Sequence, residues 1–333
     1  MASASISVVI PTYNSGSMLA QAIASALGQS IPPAEIIVVD DGSTDATEER
    51  VRSFQKPVRY VRQLNQGVSA ARNRGVAMAS GEFVAFLDAD DVWHPRKLEL
   101  QLAAFRRAPG LALLGTSAFD WPARTFPTSP PEEALKVVRV TWEDLAVKNR
   151  LVTSSVLARR AILQSAGEFD LRLQGPEDRD LWLRVAEIAP VAYLNFPLTG
   201  YRMVPGSVSK QAKTCHAGMR RILQRLDERK LWRGRWLLRR KAYGYMNHSS
   251  AYLFDACGQY RVALWKSLRS FAWYPLPFQS DETATRFERP KRALVTLLRM
   301  LHIRAPSAPL AAALAVGELD ALEAGRHRGV VHG

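Results

Sequence analysis

Only two cysteines, Cys215 and Cys257, occur among 333 residues. Two isolated thiols exclude a disulfide framework and a CxxC zinc site, and they fit a reducing compartment. Long apolar runs are missing as well. The longest candidate, 308–317, stops at Glu318, well short of the roughly 18 residues a membrane span needs. The first residues, MASASISVVIPTYN, lack a charged leader and pass straight into an apolar stretch, so no signal peptide is expected. No GxGxxG, GxxxxGK[ST] or GxSxG string occurs, which counts against dinucleotide oxidoreductases, P-loop enzymes and nucleophile-elbow hydrolases. The histidines show no metal-ligand spacing.

Acidic charge is the next shortage. Asp and Glu number 31 against 45 Lys and Arg, a formal net charge of +14, with much of the excess after residue 200. Such a surface favours anionic partners: nucleic acid, anionic lipid headgroups or phosphorylated small molecules. Hydrophobic residues make up 47% of the chain, enough for one substantial core and a second, smaller helical one. Charged residues at 23% are ordinary for a folded protein.

The first 120 residues alternate between two periods. Apolar runs at 6–10, 35–40, 58–61, 83–88 and 111–115 read as strands. Helical spacing separates them, at about 19–27, 46–55, 68–79 and 95–107. This alternation predicts an α/β fold with a mostly parallel central sheet and helices on both faces. A Pro-rich stretch, 121–131, reads as a surface loop. A helix at 141–149, strands at 153–157 and 191–195, and a helix beginning near Pro176 follow. Beyond 206 the chain reads as helical and basic, with segments near 214–231, 236–256, 259–272 and 288–302. The expected division is an α/β domain over 1–205, in two halves (1–115 and 116–205), and a basic helical region over 206–333.

In open α/β sheets, ligands bind beyond the carboxyl ends of the strands, and the polar residues sit there. Tyr13 follows the first run, Asp40 and Asp41 the second, and Asp88, Asp90 and Asp91 the fourth. One Asp after a strand is an ordinary helix cap. Three within four positions repel one another unless a cation or hydrogen bonds neutralise them, and carboxylate oxygens are hard ligands suited to Mn²⁺ or Mg²⁺. Asp40 or Asp41 has the chemistry to accept a hydrogen bond from a pyrimidine N–H or ribose hydroxyl, although DGS is also plain turn chemistry. In PEDRDLWLR, Glu177 and Asp178 fall in the first turn of a helix. There they serve either the helix dipole or, in the case of Asp178, general-base chemistry.

These strings together resemble the inverting family 2 glycosyltransferases of GT-A fold. The matching pieces are VVIPTYN (8–14), VVDDGSTD (38–45), NQGVSAARNRG (65–75), FLDADD (86–91) and PEDRDLWLR (176–184), in the family's order. The resemblance implies a nucleotide-sugar donor, best guessed as a UDP-sugar, and a carbohydrate or lipid-linked acceptor. It gives Pro11, Thr12 and Tyr13 the loop framing the base, Asp41 the base contact with Asp40 beside it, and Arg72 a basic position near the nucleotide. Asp88 and Asp90 form the DxD motif, with Asp90 near ribose and metal and Asp91 as an alternative metal ligand. Asp178 matches the catalytic base, with Glu177, Trp182 and Arg202 near the donor or acceptor. The implied cofactor is Mn²⁺ or Mg²⁺. The chain departs from many relatives at Val204, where they carry a His, so the metal is expected to rest on aspartates, phosphates and water. The implied setting is cell-envelope polysaccharide or glycolipid synthesis in the cytoplasm, peripheral to the inner face of the plasma membrane.

The interleaved Arg, Lys, Trp and Leu of 214–241 predict contact with an anionic membrane surface. Two other readings compete. A sugar-phosphate nucleotidylyltransferase shares the α/β sheet, metal and aspartates, but it needs a Gly-rich first loop with a basic residue, which VVIPTYNSGS lacks. A basic nucleic-acid-binding protein fits the net charge, but no recognisable nucleic-acid module accompanies it, and no nucleic-acid partner is expected.

Overall fold

The computed structural model describes residues 4–128, 135–203, 211–278 and 288–301. Val204 and the apolar run 308–317 lie outside them.

Four strands build the first half: β1 (Ile6–Thr12), β2 (Glu35–Asp40), β3 (Val58–Arg62) and β4 (Phe83–Phe86). They lie in the order β3-β2-β1-β4, all parallel. Every residue of β1 and β2 is buried, because helices cover both sheet faces. Successive β1 side chains point to opposite faces. Thus Val9 enters one apolar layer with Ile37, Val39, Val84 and Phe86, while Val8 and Ile10 enter the other with Ile36 and Val38. Helix α1 (Gly16–Leu27) buries Leu19, Ala22, Ile23 and Ala26 in this second layer. Helices α2 (Thr47–Arg52) and α3 (Val68–Met78) complete the crossovers.

Helix α3 approaches β1 closely through Gly75. A Cβ there would sit 2.3 Å from Val9 Cγ1, and Val9 cannot move because it is central and fully buried. Gly75→Ala is therefore expected to destabilise the fold by about 1–3 kcal/mol through overpacking, read as a lower midpoint in urea at unchanged slope.

The second half adds β5 (Val92–Trp93), α4 (Lys97–Arg107), β6 (Leu113–Trp121), β7 (Val137–Val140), α5 (Trp142–Val147), β8 (Leu157–Arg159), α6 (Arg160–Ala166), α7 (Glu177–Ile188) and β9 (Val191–Arg202). The sheet continues β4-β8-β6-β9-β5, with β7 also on β9. Here only β6 and β9 run parallel; β8, β5 and β7 pair antiparallel. The parallel expectation thus describes the first half, and the second is mixed. The span 153–157, read as a strand, is a 3-10 turn (Thr153–Ser155) leading into β8. Trp121, read as the start of a loop, ends β6 by pairing with Arg202.

Four helices follow: α8 (Ala212–Glu228), α9 (Trp236–Ala256), α10 (Tyr260–Trp273) and α11 (Glu288–Met300). Ile222, Leu223 and Leu226 of α8, Trp232, and Ala242 and Met246 of α9 join the same apolar layer as Val9 and Trp182. The expected boundary near 205 is therefore a change of sequence character and not a gap in packing. The same burial divides the basic stripe over 214–241. Leu226 and Trp232 face inward, Trp232 lying 5.7 Å from the Trp142 ring, which leaves only Trp236 and Leu237 of its larger apolar groups exposed. No helix among the described residues is long and apolar enough to cross a membrane. Cys215 and Cys257 are free thiols.

Candidate active site

The polar residues cluster at the carboxyl ends of β1, β2 and β4. Thr12 pairs with Asp40 in register, and the Asp41 amide donates to the Thr12 carbonyl at 2.9 Å. The first two loops are then tied together through Asn14. Its amide donates to Ser43 Oγ at 2.9 Å, and its Oδ1 accepts from the Thr44 amide at 2.8 Å. Asn14 adopts φ 49°, a left-handed conformation that Asn tolerates better than most residues. Pro11 and Thr12 are buried, Thr12 Oγ1 without a hydrogen-bond partner among the described residues, while Tyr13 stands half exposed at the rim.

Asp40 and Asp41 differ sharply in what they hold. Asp40 is sealed: it accepts from the Ser43 amide at 2.8 Å and from the Tyr60 hydroxyl. It fixes the turn and does not reach the crevice. Asp41 accepts on Oδ1 from Gln63 Nε2 (2.7 Å) and the Gln66 amide (2.9 Å), and on Oδ2 from the Gly67 amide (2.7 Å). It shapes the 63–67 loop, and Oδ2 keeps a lone pair for a further donor.

The aspartate turn after β4 is bracketed by two arginines. Arg72, from α3, is buried and donates to Asp88 Oδ1 at 2.7 Å and to Glu177 Oε1 at 2.8 Å. Expected beside the nucleotide, it bridges the aspartate turn and the start of α7. Arg202, at the end of β9, stacks over Trp121 at 4.5 Å, and its side chain donates to the Asp90 carbonyl and Gln21. Asp91 is fully buried. Its Oδ1 accepts from the Arg202 amide and its Oδ2 from Ser154 Oγ, which itself accepts from the Asp88 amide. Both Asp91 oxygens are engaged in holding the turn, whereas Asp88 and Asp90 are half-buried and partly open to the crevice. Burial and the neighbouring Asp88 charge lift Asp90 to about 6. Among the described residues no group of three or more His, Cys, Asp and Glu side chains can hold a metal alone.

At the start of α7, Asp178 is half-buried. Its Oδ2 accepts from Asn149 Nδ2 at 2.9 Å and Thr153 Oγ1 at 3.2 Å; its Oδ1 accepts from the Arg179 amide at 2.6 Å. Burial first, and the adjacent Glu177 charge second, raise it to about 7, against the pull of Arg72. A carboxylate poised near neutrality suits proton abstraction. Two of the residues expected near donor or acceptor are buried side chains. Glu177 is buried against Arg72, and Trp182 is a core side chain packed against Phe86 and Phe169, its Nε1 donating to the Leu151 carbonyl. His94 is likewise held by packing, edge-on to Phe126.

Asn149, Thr153 and Ser154 were not anticipated as site residues. Their signal was present as a run of hydroxyls, LVTSS (151–155), just after Asn149 in an otherwise apolar stretch.

Comparison with known proteins gives the family and the fold. The glycosyl transferase family 2 profile matches residues 7–145. A Bacillus subtilis glycosyltransferase named for teichuronic acid biosynthesis, TuaG, is 32% identical over 216 residues, 61% of this chain and 81% of that protein. An uncharacterized glycosyltransferase of Rickettsia conorii is 29% identical over 194 residues, 56% of this chain and 32% of its own length. Across the first curated relatives, the match spans only about a third to three fifths of their length. Among solved structures, S. aureus TarS 1–349 superposes with a TM-score of 0.54 at 19% identity, covering 81% of this chain and 89% of that one. The same TarS region in complex with UDP-GlcNAc gives a TM-score of 0.56. At that identity the likeness establishes the GT-A fold. The chain belongs to glycosyl transferase family 2.

Proposed function

We propose that this protein moves a sugar from a nucleotide-diphosphate donor, a UDP-sugar, onto an acceptor hydroxyl with inversion of configuration. The observation that carries the reading is Asp178. It is a carboxylate raised to about 7 and held by three hydrogen bonds, and Arg72 ties its helix to the aspartate turn. In this reading the base of the donor lies against Thr12, Tyr13 and the loop that Asp41 holds, with Tyr13 stacking and Asp41 Oδ2 accepting from a base N–H. Asp178 takes the proton of the acceptor hydroxyl as that oxygen attacks the anomeric carbon from the face opposite the departing diphosphate. One displacement inverts the centre, so an α-linked donor gives a β-linked product.

Asp90 fits a divalent cation. It is a partly buried carboxylate beside Asp88, its pKa is raised by burial and by that neighbour, and no other described side chain donates to it. One or two carboxylates with substrate phosphates are the usual way Mg²⁺ is held. A bound Mn²⁺ or Mg²⁺ would supply charge stabilisation for the leaving diphosphate. Asp91 and Arg202 keep the turn in place from behind.

The UDP assignment is supported by the family's motifs and by the UDP and UDP-GlcNAc complexes of the structurally similar TarS. The name of TuaG supports an acceptor in cell-envelope polysaccharide or glycolipid synthesis, on the side of the membrane where nucleotide sugars are made. The test is incubation with Mn²⁺ and a panel of UDP- and GDP-sugars, followed by NMR. The expected result is nucleoside diphosphate release and a β-linked product from one α-linked donor. An α-linked product would contradict the mechanism. Pyrophosphate release from a nucleoside triphosphate and a sugar phosphate would favour a nucleotidylyltransferase.

A further inference from the structure

The outer face of α10 is apolar and unpartnered among the described residues. Ala263, Ser267 and Ser270 are buried, Ser270 Oγ donating to the Gly244 carbonyl of α9 at 2.8 Å. On the opposite side Val262, Trp265, Leu268 and Ala272 are exposed at helical spacing, Trp265 by 59% and Leu268 by 53%. Leu276, just past the helix, is 55% exposed. Arg261 and Arg269 flank this stripe on the same helix. Lys266 lies beside it, its ammonium 2.7 Å from His216 Nε2 of α8. The charges of Arg269 and of Arg220, from α8, push Lys266 below its usual value, second only to burial. These cations therefore crowd one another.

Their lack of partners is selective. Arg225, Arg229, Arg235, Arg239 and Arg299 each meet an Asp or Glu. Among the described residues no carboxylate forms an ion pair with Arg220, Arg261 or Arg269. A stripe of Val, Trp and Leu edged by uncompensated cations matches a surface that is apolar below and anionic above. A second copy meeting this face through a two-fold axis would set the same arginines against each other.

We infer that the outer face of α10, with Trp265 and Leu268 as its apolar contacts and Arg220, Arg261 and Arg269 around them, docks on an anionic lipid bilayer. The inference is independent of the donor and acceptor assignments. It also moves the apolar part of the membrane contact from 214–241, where Leu226 and Trp232 are core, to α10. The face is close to the site. On α8, Gly218 lies against Pro176, where a Cβ would come within 2.7 Å of its ring, and Pro176 immediately precedes Glu177. His216 on the same helix bonds Lys266 of α10. Docking there would place the base's helix one helix layer from the bilayer.

The test uses the full chain and vesicles of phosphatidylcholine with or without phosphatidylglycerol, read by co-sedimentation. Two double variants are compared, Trp265→Ser/Leu268→Ser and Arg261→Gln/Arg269→Gln. All four positions are exposed, and thermal melts verify that the fold is retained. The expected result is binding to anionic vesicles, weakened about tenfold or more in each double variant and reduced by high salt. Nucleoside-diphosphate binding should be unchanged in both. Equal binding to vesicles with and without phosphatidylglycerol, no binding to either, or undiminished binding by the variants would overturn the inference. So would a concentration-dependent self-association abolished by Trp265→Ser/Leu268→Ser, which would assign the face to a second copy. Salt-dependent capture of random oligonucleotides through the same arginines, without vesicle binding, would also overturn it.

Discussion

Asp178→Asn is expected to lower kcat by about 10²–10⁴-fold, the usual contribution of a positioned general base, while leaving donor affinity within about twofold. The substitution keeps the size of the side chain and removes its capacity to take a proton. Asn149 and Thr153 can still donate to the amide oxygen, while the amide nitrogen takes the place of the oxygen that accepted from the Arg179 amide and loses that bond. The wild-type rate has a signature of its own. Only the carboxylate form accepts a proton, so activity should climb as pH rises through about 7 and level off above it. Asn149→Ala removes a hydrogen bond that favours the charged form. The acid limb should then move to higher pH, by about one unit for a bond worth roughly 1.5 kcal/mol. An Asp178→Asn enzyme with near-normal kcat would remove the base from the mechanism.

The second large effect is expected at Arg72. Its guanidinium is the partner that Asp88 and Glu177 share, and both Arg72 and Glu177 are buried. Arg72→Ala would leave two carboxylates facing each other without a cation. Breaking a buried pair in this way costs about 3–5 kcal/mol. Stability alone would not separate a scaffold from a residue that acts on the site, so the pH profile is the informative readout. Arg72 pulls Asp178 down against burial and the Glu177 charge. Its loss should raise the base and carry the acid limb upward in the fraction that remains folded. Arg72→Lys keeps the charge but cannot fork between two carboxylates, and should restore the limb more than the stability. A destabilised Arg72→Ala enzyme with an unmoved limb would make Arg72 a structural residue only.

Much of the fold was legible because its signals are local. The runs 6–10 and 35–40 could be nothing but buried strands, and α7, α9 and α10 begin within about a residue of where the pattern put them. Elements with weak local signals were not legible. β5 has two residues, β7 is a largely exposed edge strand, and α6 buries only Leu163. In the site, the sequence located the positions but not their facing. Arg72 was given a basic position near the nucleotide by resemblance; its carboxylate partners lie 16 and 105 residues away and leave no local signal. Trp182 and Asp91 read as site groups, yet one is core and the other is held by Ser154 and the Arg202 amide. Such contacts across the sheet leave no periodic trace. The hydroxyls of 151–155 are the exception, since a polar run inside an apolar stretch has to be paid for by partners.

The account rests on a metal-assisted nucleotide-diphosphate site at the aspartate turn. Calorimetric titration of UDP and GDP into the wild-type protein and Asp90→Ala, each with and without Mn²⁺, tests it most directly. The predicted result is that UDP binds the wild type more tightly with Mn²⁺ than without it, that this gain is lost in Asp90→Ala, and that the mutant retains the wild-type melting temperature. Binding of neither diphosphate under any condition, or Mn²⁺-dependent binding that survives Asp90→Ala unchanged, would contradict it.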